Sequence, residues 1–156
     1  MANSNILADR LREVFLNGTW IANTNYKDQL VSLDWHVAIT ELYSFNTIAA
    51  LAQHIHYYVA GVKNVFAHGK LEISDVYSFD FPEIKSQQDW DRFLNLFWQD
   101  CEDLALYVER LTDEELEKDF VNPMYGDFKR NIDAMIEHSY YHLGQIVLIK
   151  KGLKVI

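Results

Sequence analysis

Two histidines lie four residues apart near the end of the chain, in the segment IEHSYYHLGQIVLIKK (Ile136 to Lys151). The segment is otherwise mostly apolar and aromatic and is typical of a helix. Because residues i and i+4 lie on one face of a helix, His138 and His142 can bind one metal ion from successive turns. The alternative is that both are hydrogen-bonded histidines of an apolar core, and the spacing alone leaves the two interpretations open.

A polar line follows the edge of the apolar face of this helix. With about 100° of rotation per residue, His142 falls within the apolar stripe and His138 lies at its edge. Asn131 and Gln145 fall within about 20° of His138 by the same geometry. Either amide is therefore a candidate to hydrogen-bond a metal-ligating imidazole or a bound water. The alternative interpretation is that each amide is an ordinary polar side chain that makes its hydrogen bonds at the edge of the bundle.

A second predicted helix carries two more histidines. The apolar stripe of this helix centres about 80° from His54 and about 120° from His56. His54 is therefore the better candidate for an inward-facing ligand, whereas His56 is placed with Lys63 on the outer side. Tyr58, one turn after His54, and Tyr141, between the later pair, are candidates to line a pocket or to pack as core aromatics.

The elements that must position these histidines are helices. Ser4, Ser86 and Thr112 are predicted caps, with Thr112 and Glu115 forming a capping box, and Gly69 is a suitable stop. No alternation typical of strands is found, so the sequence predicts one all-α domain over residues 1–156, a four-helix bundle with short extra helices in the connections. The predicted long helices are about 5–17, 45–67, 87–111 and 127–151, with a short one at about 26–33.

Composition narrows the classes of partner. The chain has 156 residues and a formal net charge of −9, with no stripe of Lys or Arg, so nucleic acid is not expected as a partner. The only cysteine, Cys101, allows no intramolecular disulfide and is expected to pack as a small helix residue. The start of the chain is not typical of a signal peptide, and no run approaches the roughly 18 apolar residues of a membrane span. The expected location is the cytoplasm.

Two segments of the chain resemble the DinB-like superfamily, which includes YfiT-type hydrolases and bacillithiol transferases. They are TIAALAQHIHYYVAGV and MIEHSYYHLGQIVLIKKG, and the SDVYSFDFPEI between them is also similar. The resemblance implies a four-helix bundle of DinB/YfiT type. It also implies a divalent metal ion, zinc or nickel, held between helices by His54, His138 and His142, and a homodimer. Leu143 departs from the pattern, since many members have Arg before the Gly-Gln.

The resemblance implies a metal-dependent enzyme that acts on a small-molecule substrate. Its reaction is either S-transfer from a low-molecular-weight thiol or hydrolysis. Ser139 follows the first histidine of the pair, so the glutamate base of an HExxH protease is missing, and no catalytic residue beyond the ligands is identified. The long connection at 69–85 is a further candidate for function. The alternative is a non-catalytic helical bundle, a binding or scaffold protein with a structural metal or none.

Overall fold

All regular structure in the computed structural model, which describes residues 3–154, is helical. Within that range there is no strand, only an isolated bridge between Asp119 and Asp127, which confirms the predicted all-α class. No helix of this part of the chain is long and apolar enough to cross a membrane. The α-helices are α1 (Asn3–Arg12), α2 (Tyr26–Leu30), α3 (Trp35–Ala38), α4 (Ile48–His68), α5 (Gln87–Glu109), α6 (Asp113–Leu116) and α7 (Phe128–Gly152).

Local capping explains most of the helix bounds. The Ser86 side chain accepts the amide of Asp89 at the start of α5, and Thr112 forms the predicted capping box with Glu115. Gly69 ends α4 in the left-handed region, at φ 72°, where glycine is favoured. The prediction that Ser4 caps α1 is wrong, because the chain is already helical at Asn3 and Ser4 is buried within the helix.

The four longest helices contact one another around one apolar core. α5 packs against α1 and α4, and α7 packs against α4 and α1. At the centre, the rings of Phe15, Tyr26 and Phe97 lie within 5.4–5.8 Å of one another. The Tyr26 hydroxyl donates to the backbone carbonyl of Ser139 at 2.8 Å. This contact ties α2 to α7 beside the histidine pair.

A buried charge cluster joins α4 to α5. Asp100, on α5, accepts hydrogen bonds from His56 Nε2 at 2.7 Å and Lys63 Nζ at 2.6 Å. His56 and Lys63 therefore share a side of α4 as predicted, but the prediction that this side is an outer one is wrong because α5 packs over it. Cys101 is buried next to the cluster, as expected of a small helix residue.

The connection between α4 and α5 lies along α4. The Tyr57 hydroxyl accepts the amide of Ser74 at 2.9 Å, and Gln53 Nε2 donates to the carbonyl of Pro82 at 3.0 Å. A Cβ atom at Gly61 would lie 2.5 Å from the Ile73 side chain, so glycine permits this close approach. The connection is therefore held against the face of α4 that carries His54.

Candidate metal centre

Three histidines from two helices meet between α4 and α7. His54 lies on α4, and His138 and His142 lie on successive turns of α7. One ring nitrogen of each lies within 4.8 Å of the others. His54 and His142 are 6% and 7% exposed, and His138 is half-buried. Of the six histidines, the structure thus brings together the three that the sequence selected as ligands.

Hydrogen bonds orient two of the three imidazoles. His54 Nδ1 lies 3.0 Å from the backbone carbonyl oxygen of Ser78, and His142 Nδ1 lies 2.7 Å from Gln145 Oε1. Both partners are acceptors, so each Nδ1 carries the proton and donates. The lone pair is then on Nε2, the nitrogen that each ring has free for a metal.

The third imidazole is placed by its neighbour on α7. His138 Nε2 and His142 Nε2 are 2.9 Å apart, and because His142 carries its proton on Nδ1, His138 Nε2 donates this hydrogen bond. Imidazole nitrogens on one tetrahedral zinc ion, with bonds of about 2.0–2.1 Å, lie roughly 3.3 Å apart. The donor set therefore fits a divalent cation after small side-chain shifts, and binding requires the proton on His138 Nε2 to move to Nδ1 of the same neutral ring.

The electrostatics of the cluster favour neutral imidazoles. Burial, followed by the charges of His142 and His54, lowers the pKa of His138 to about 4. Burial also lowers the pKa of His142, although the hydrogen bond to Gln145 opposes the shift. A metal ligand must be deprotonated. At neutral pH these two imidazoles already meet that requirement.

Aromatic rings enclose the triad. The Phe79 ring stacks on His54 with centroids 4.2 Å apart, and the Tyr58 ring contacts both His54 and His138 at 5.1 and 5.2 Å. Tyr141 contacts the His142 ring at 4.9 Å and is 64% exposed. The two tyrosines that the sequence proposed as pocket residues therefore both lie against the triad, with Tyr141 at its exposed side.

The connection before α5 supplies residues that the sequence analysis did not identify. Asp75 Oδ1 accepts a hydrogen bond from the Tyr58 hydroxyl at 2.7 Å, and the charge of Asp75 acts on His138. Burial, and then the bond to Asp75, raises the pKa of Tyr58. Ser78 and Phe79 come from the same segment. The length of the connection indicated a functional loop, but no local pattern indicated which of its residues face the triad.

One predicted site residue has a different role in the structure. Asn131 donates from Nδ2 to the backbone carbonyls of Tyr125 and Asp127, both at 2.8 Å. Its amide thereby joins the start of α7 to the preceding turn. The structure places Gln145, and not Asn131, in hydrogen-bond contact with the triad.

Comparisons with protein-family models, curated proteins and solved structures give no match to this chain. The case for a metal centre therefore rests on the geometry of the three histidines and their hydrogen bonds.

Proposed function

We propose that the protein is a divalent-metal-dependent enzyme that acts on a small molecule, with His54, His138 and His142 as ligands to zinc or nickel. The observation that carries this proposal is the convergence of three imidazoles, two of them held by Nδ1 hydrogen bonds that direct Nε2 to a common point. When bound, such an ion supplies a Lewis acid with coordination positions left open to a substrate oxygen or sulfur atom.

A four-helix bundle of the DinB/YfiT type is the fold that we propose for this enzyme. The arrangement of α1, α4, α5 and α7 around one core supports it, and the two segments that carry the resemblance fall in α4 and α7.

Hydrolysis is the reaction that the surroundings of the triad support best. A carboxylate beside the site can accept a proton from an attacking water, and Asp75 is such a group. Tyr58, whose ring contacts His54 and His138, donates to Asp75 at 2.7 Å, and the charge of Asp75 acts on His138. The backbone carbonyl of Ser78 and the side chain of Gln145 keep the imidazoles oriented. The Phe79 ring covers one face of His54.

Transfer of a low-molecular-weight thiol is the second candidate. The histidine pair of α7 lies in a segment that resembles the DinB-like superfamily, which includes the bacillithiol transferases, and Gln145 of that segment contacts His142. Thiolates are good ligands for zinc and related ions. The test is to give metal-loaded protein a thiol with an electrophile and, separately, ester and amide substrates. Consumption of the thiol without hydrolysis of the esters or amides would favour thiol transfer over hydrolysis.

The first test is the metal content of protein purified without an affinity tag. We expect about one equivalent in the wild type and in His36→Ala, a matched control at an exposed histidine far from the triad in sequence. We expect none in His142→Ala, with helical content preserved, because three ligands are the minimum for such a site. Full metal retention in His142→Ala would refute the ligand assignment. No metal in the wild type, even after incubation with zinc and nickel, would favour a non-catalytic binding protein.

A further inference from the structure

A cavity of about 840 Å³ lies between α4 and α5, and none of the three histidines of the triad lines it. Along α4 its wall is a single helix face that includes Gln53, Ala60 and Asn64, at spacings of seven and four residues. On the α5 side the wall includes Phe93 and Leu96. Small-molecule sites in proteins are typically clefts of roughly 300–1,000 Å³. The cavity therefore has the size of a ligand site, on a face of α4 that the metal centre does not use.

The inner wall of the cavity is mainly apolar. The connection before α5 contributes Ile73 and Ile84, and α5 contributes Phe93. Ile73 is fixed there because its side chain packs where Gly61 has none. Leu96, on the same face of α5 as Phe93, is 53% exposed. Since the transfer of apolar surface out of water is the main driving force of binding, a ligand with an apolar body would cover this surface.

One end of the cavity carries a carboxylate that has no basic partner. The other charged side chains of the wall are paired, Glu83 with Lys85 at 3.3 Å and Asp89 with Arg92 at 3.6 Å. Glu72 accepts a hydrogen bond from Asn64 Nδ2 at 3.2 Å, and it forms no ion pair with any residue that the structure describes. A carboxylate beside an apolar wall attracts a cation more strongly than one surrounded by water, because the local dielectric constant is lower. The Glu72 end of the cavity therefore favours a positive group.

The distance between the aromatic end of the cavity and Glu72 sets the length of the ligand. The Phe93 ring lies beside His56, with ring centroids 5.5 Å apart. Asn64, which binds Glu72, follows His56 by eight residues, or about 12 Å at 1.5 Å per residue. An apolar body of roughly this length reaches from Phe93 to Glu72. The formal net charge of −9 also disfavours an anion of the same shape.

We propose that the cavity between α4 and α5 is a second ligand site, which binds an apolar small molecule with one ammonium group. The apolar body lies against Phe93 and Leu96, and the ammonium group donates a hydrogen bond to the carboxylate of Glu72. Such charge-assisted hydrogen bonds are stronger than neutral ones, so the positive group sets the specificity. Binding at this site requires neither a metal ion nor the triad.

The test is a titration of the full chain with three probes, followed by the amide chemical shifts in NMR spectra. The probes are phenylbutylammonium, phenylbutanol and phenylbutyrate, which share an apolar body and differ in charge. We expect phenylbutylammonium to shift the amides of Ala60 and Leu96 and to bind with a dissociation constant of about 1 mM or lower. Phenylbutanol should bind about tenfold more weakly, and phenylbutyrate more weakly still. His142→Ala should bind phenylbutylammonium as the wild type does, because it changes the triad and not the cavity.

Two variants test the two parts of the site. Glu72→Gln should weaken the binding of phenylbutylammonium by about tenfold, to the affinity of the alcohol, and Glu137→Gln is its control at an exposed carboxylate of α7. Ala60→Trp fills the cavity and should abolish the binding of both phenylbutylammonium and phenylbutanol. Ala67→Trp, at an exposed alanine of the same helix, is its control and should leave binding unchanged. Circular dichroism verifies that each variant keeps its helical content.

Three results would overturn the proposal. One is that no probe binds the wild type. Another is that phenylbutyrate binds as tightly as phenylbutylammonium, or that Glu72→Gln leaves the preference for the cation unchanged. The third is that a folded Ala60→Trp variant still binds phenylbutylammonium, or that His142→Ala loses it, since the probe would then lie elsewhere. None of these results depends on the metal content of the wild type, so this proposal can fail while the metal centre is confirmed, and the reverse.

Discussion

At the scale of single residues, the hydrogen bonds to Nδ1 distinguish this triad from a chance meeting of core histidines. A core imidazole needs only a partner for its polar atoms. Here His54 and His142 donate away from the cluster, to the Ser78 carbonyl and to Gln145, so that their lone pairs face it. Acceptors that bind the Nδ1 proton in this way fix the tautomer of metal-ligating histidines. The contact of Gln145 with His142 is therefore as strong an indication of a metal site as the three histidines themselves.

Replacing Gln145 by Ala should lower metal affinity by about 10–100-fold, the usual effect of losing such a partner. The His142 ring then loses the acceptor that holds Nδ1 protonated. Isothermal titration with zinc measures the change. Asn131→Ala is the matched control, because that amide bonds only to the carbonyls of Tyr125 and Asp127 and should leave zinc affinity unchanged. Equal losses in the two variants would mean that both act through the stability of α7.

At the scale of elements, the site depends on how the connection before α5 lies against α4. The segment supplies the carbonyl of Ser78 and the ring of Phe79 to His54, and the carboxylate of Asp75 to Tyr58, whose ring contacts the triad. Its close approach is possible because Gly61 has no side chain where Ile73 packs.

Gly61→Ala should destabilise the protein, although alanine in a helix interior is worth about 1 kcal/mol more than glycine. The added Cβ would lie 2.5 Å from Ile73, and overpacking of this kind costs about 1–3 kcal/mol. In an Ile73→Ala background the clash is absent, so the same substitution should stabilise the protein. Urea unfolding of the wild type, Gly61→Ala, Ile73→Ala and the double variant measures whether Gly61→Ala raises or lowers the free energy of unfolding in each background. A loss of stability in both backgrounds would show that Ile73 is not the obstacle.

The pairing of α4 with α5 should depend on pH through Asp100. Burial raises the pKa of this carboxyl, but the hydrogen bonds from His56 and Lys63 outweigh that effect and hold the pKa below its ordinary value. The stabilisation is therefore complete above the unfolded pKa of about 3.9 and is lost as the pH falls through the lower folded-state pKa. Asp100→Asn should cost about 1.5–3 kcal/mol at pH 7. Urea unfolding should show that the difference in free energy of unfolding between wild type and Asp100→Asn shrinks at acidic pH. A difference that does not change with pH would exclude this mechanism.

At the scale of the whole molecule, the aromatic centre of the core and the histidine triad lie on different helices. The four aromatic residues among the largest fully buried side chains, Trp90, Tyr26, Phe15 and Phe97, come from α2, α5 and the turn after α1, whereas α4 and α7 add aliphatic side chains such as Ile55 and Ile132. The triad lies between α4 and α7, with His138 half-buried. Because the packing of these four aromatic residues does not involve the triad, we expect the fold to persist when an ion is removed.

Chelation should leave the helical content of the protein intact and lower its melting temperature only moderately. Zinc at one hundred times its dissociation constant stabilises a folded state by about 2.7 kcal/mol, which is about 5–10 °C at this chain length. Scanning calorimetry with and without chelator measures the difference, and His142→Ala should show none. Unfolding of the wild type on chelation would indicate a structural metal and support the non-catalytic alternative.

Local patterns in the sequence predicted the features that depend on neighbouring residues. The bounds of α5 and α7 follow from caps such as Ser86, and the shared face of His138 and His142 follows from helical periodicity alone. The preference for His54 over His56 also came from periodicity, and the structure agrees, since His54 meets the triad while His56 pairs with Asp100.

Only the tertiary structure decided which distant residues reach these histidines. Ser78 and Asp75 lie in a connection without a helical or strand period, so no local rule states which of its groups face α4. Gln145 and Asn131 share a face on a helical wheel, but Asn131 lies two turns before His138, about 10 Å along the axis, where a preceding turn offers it two backbone carbonyls. Periodicity defines the faces of a helix, whereas the partners of each face depend on contacts between segments far apart in the chain.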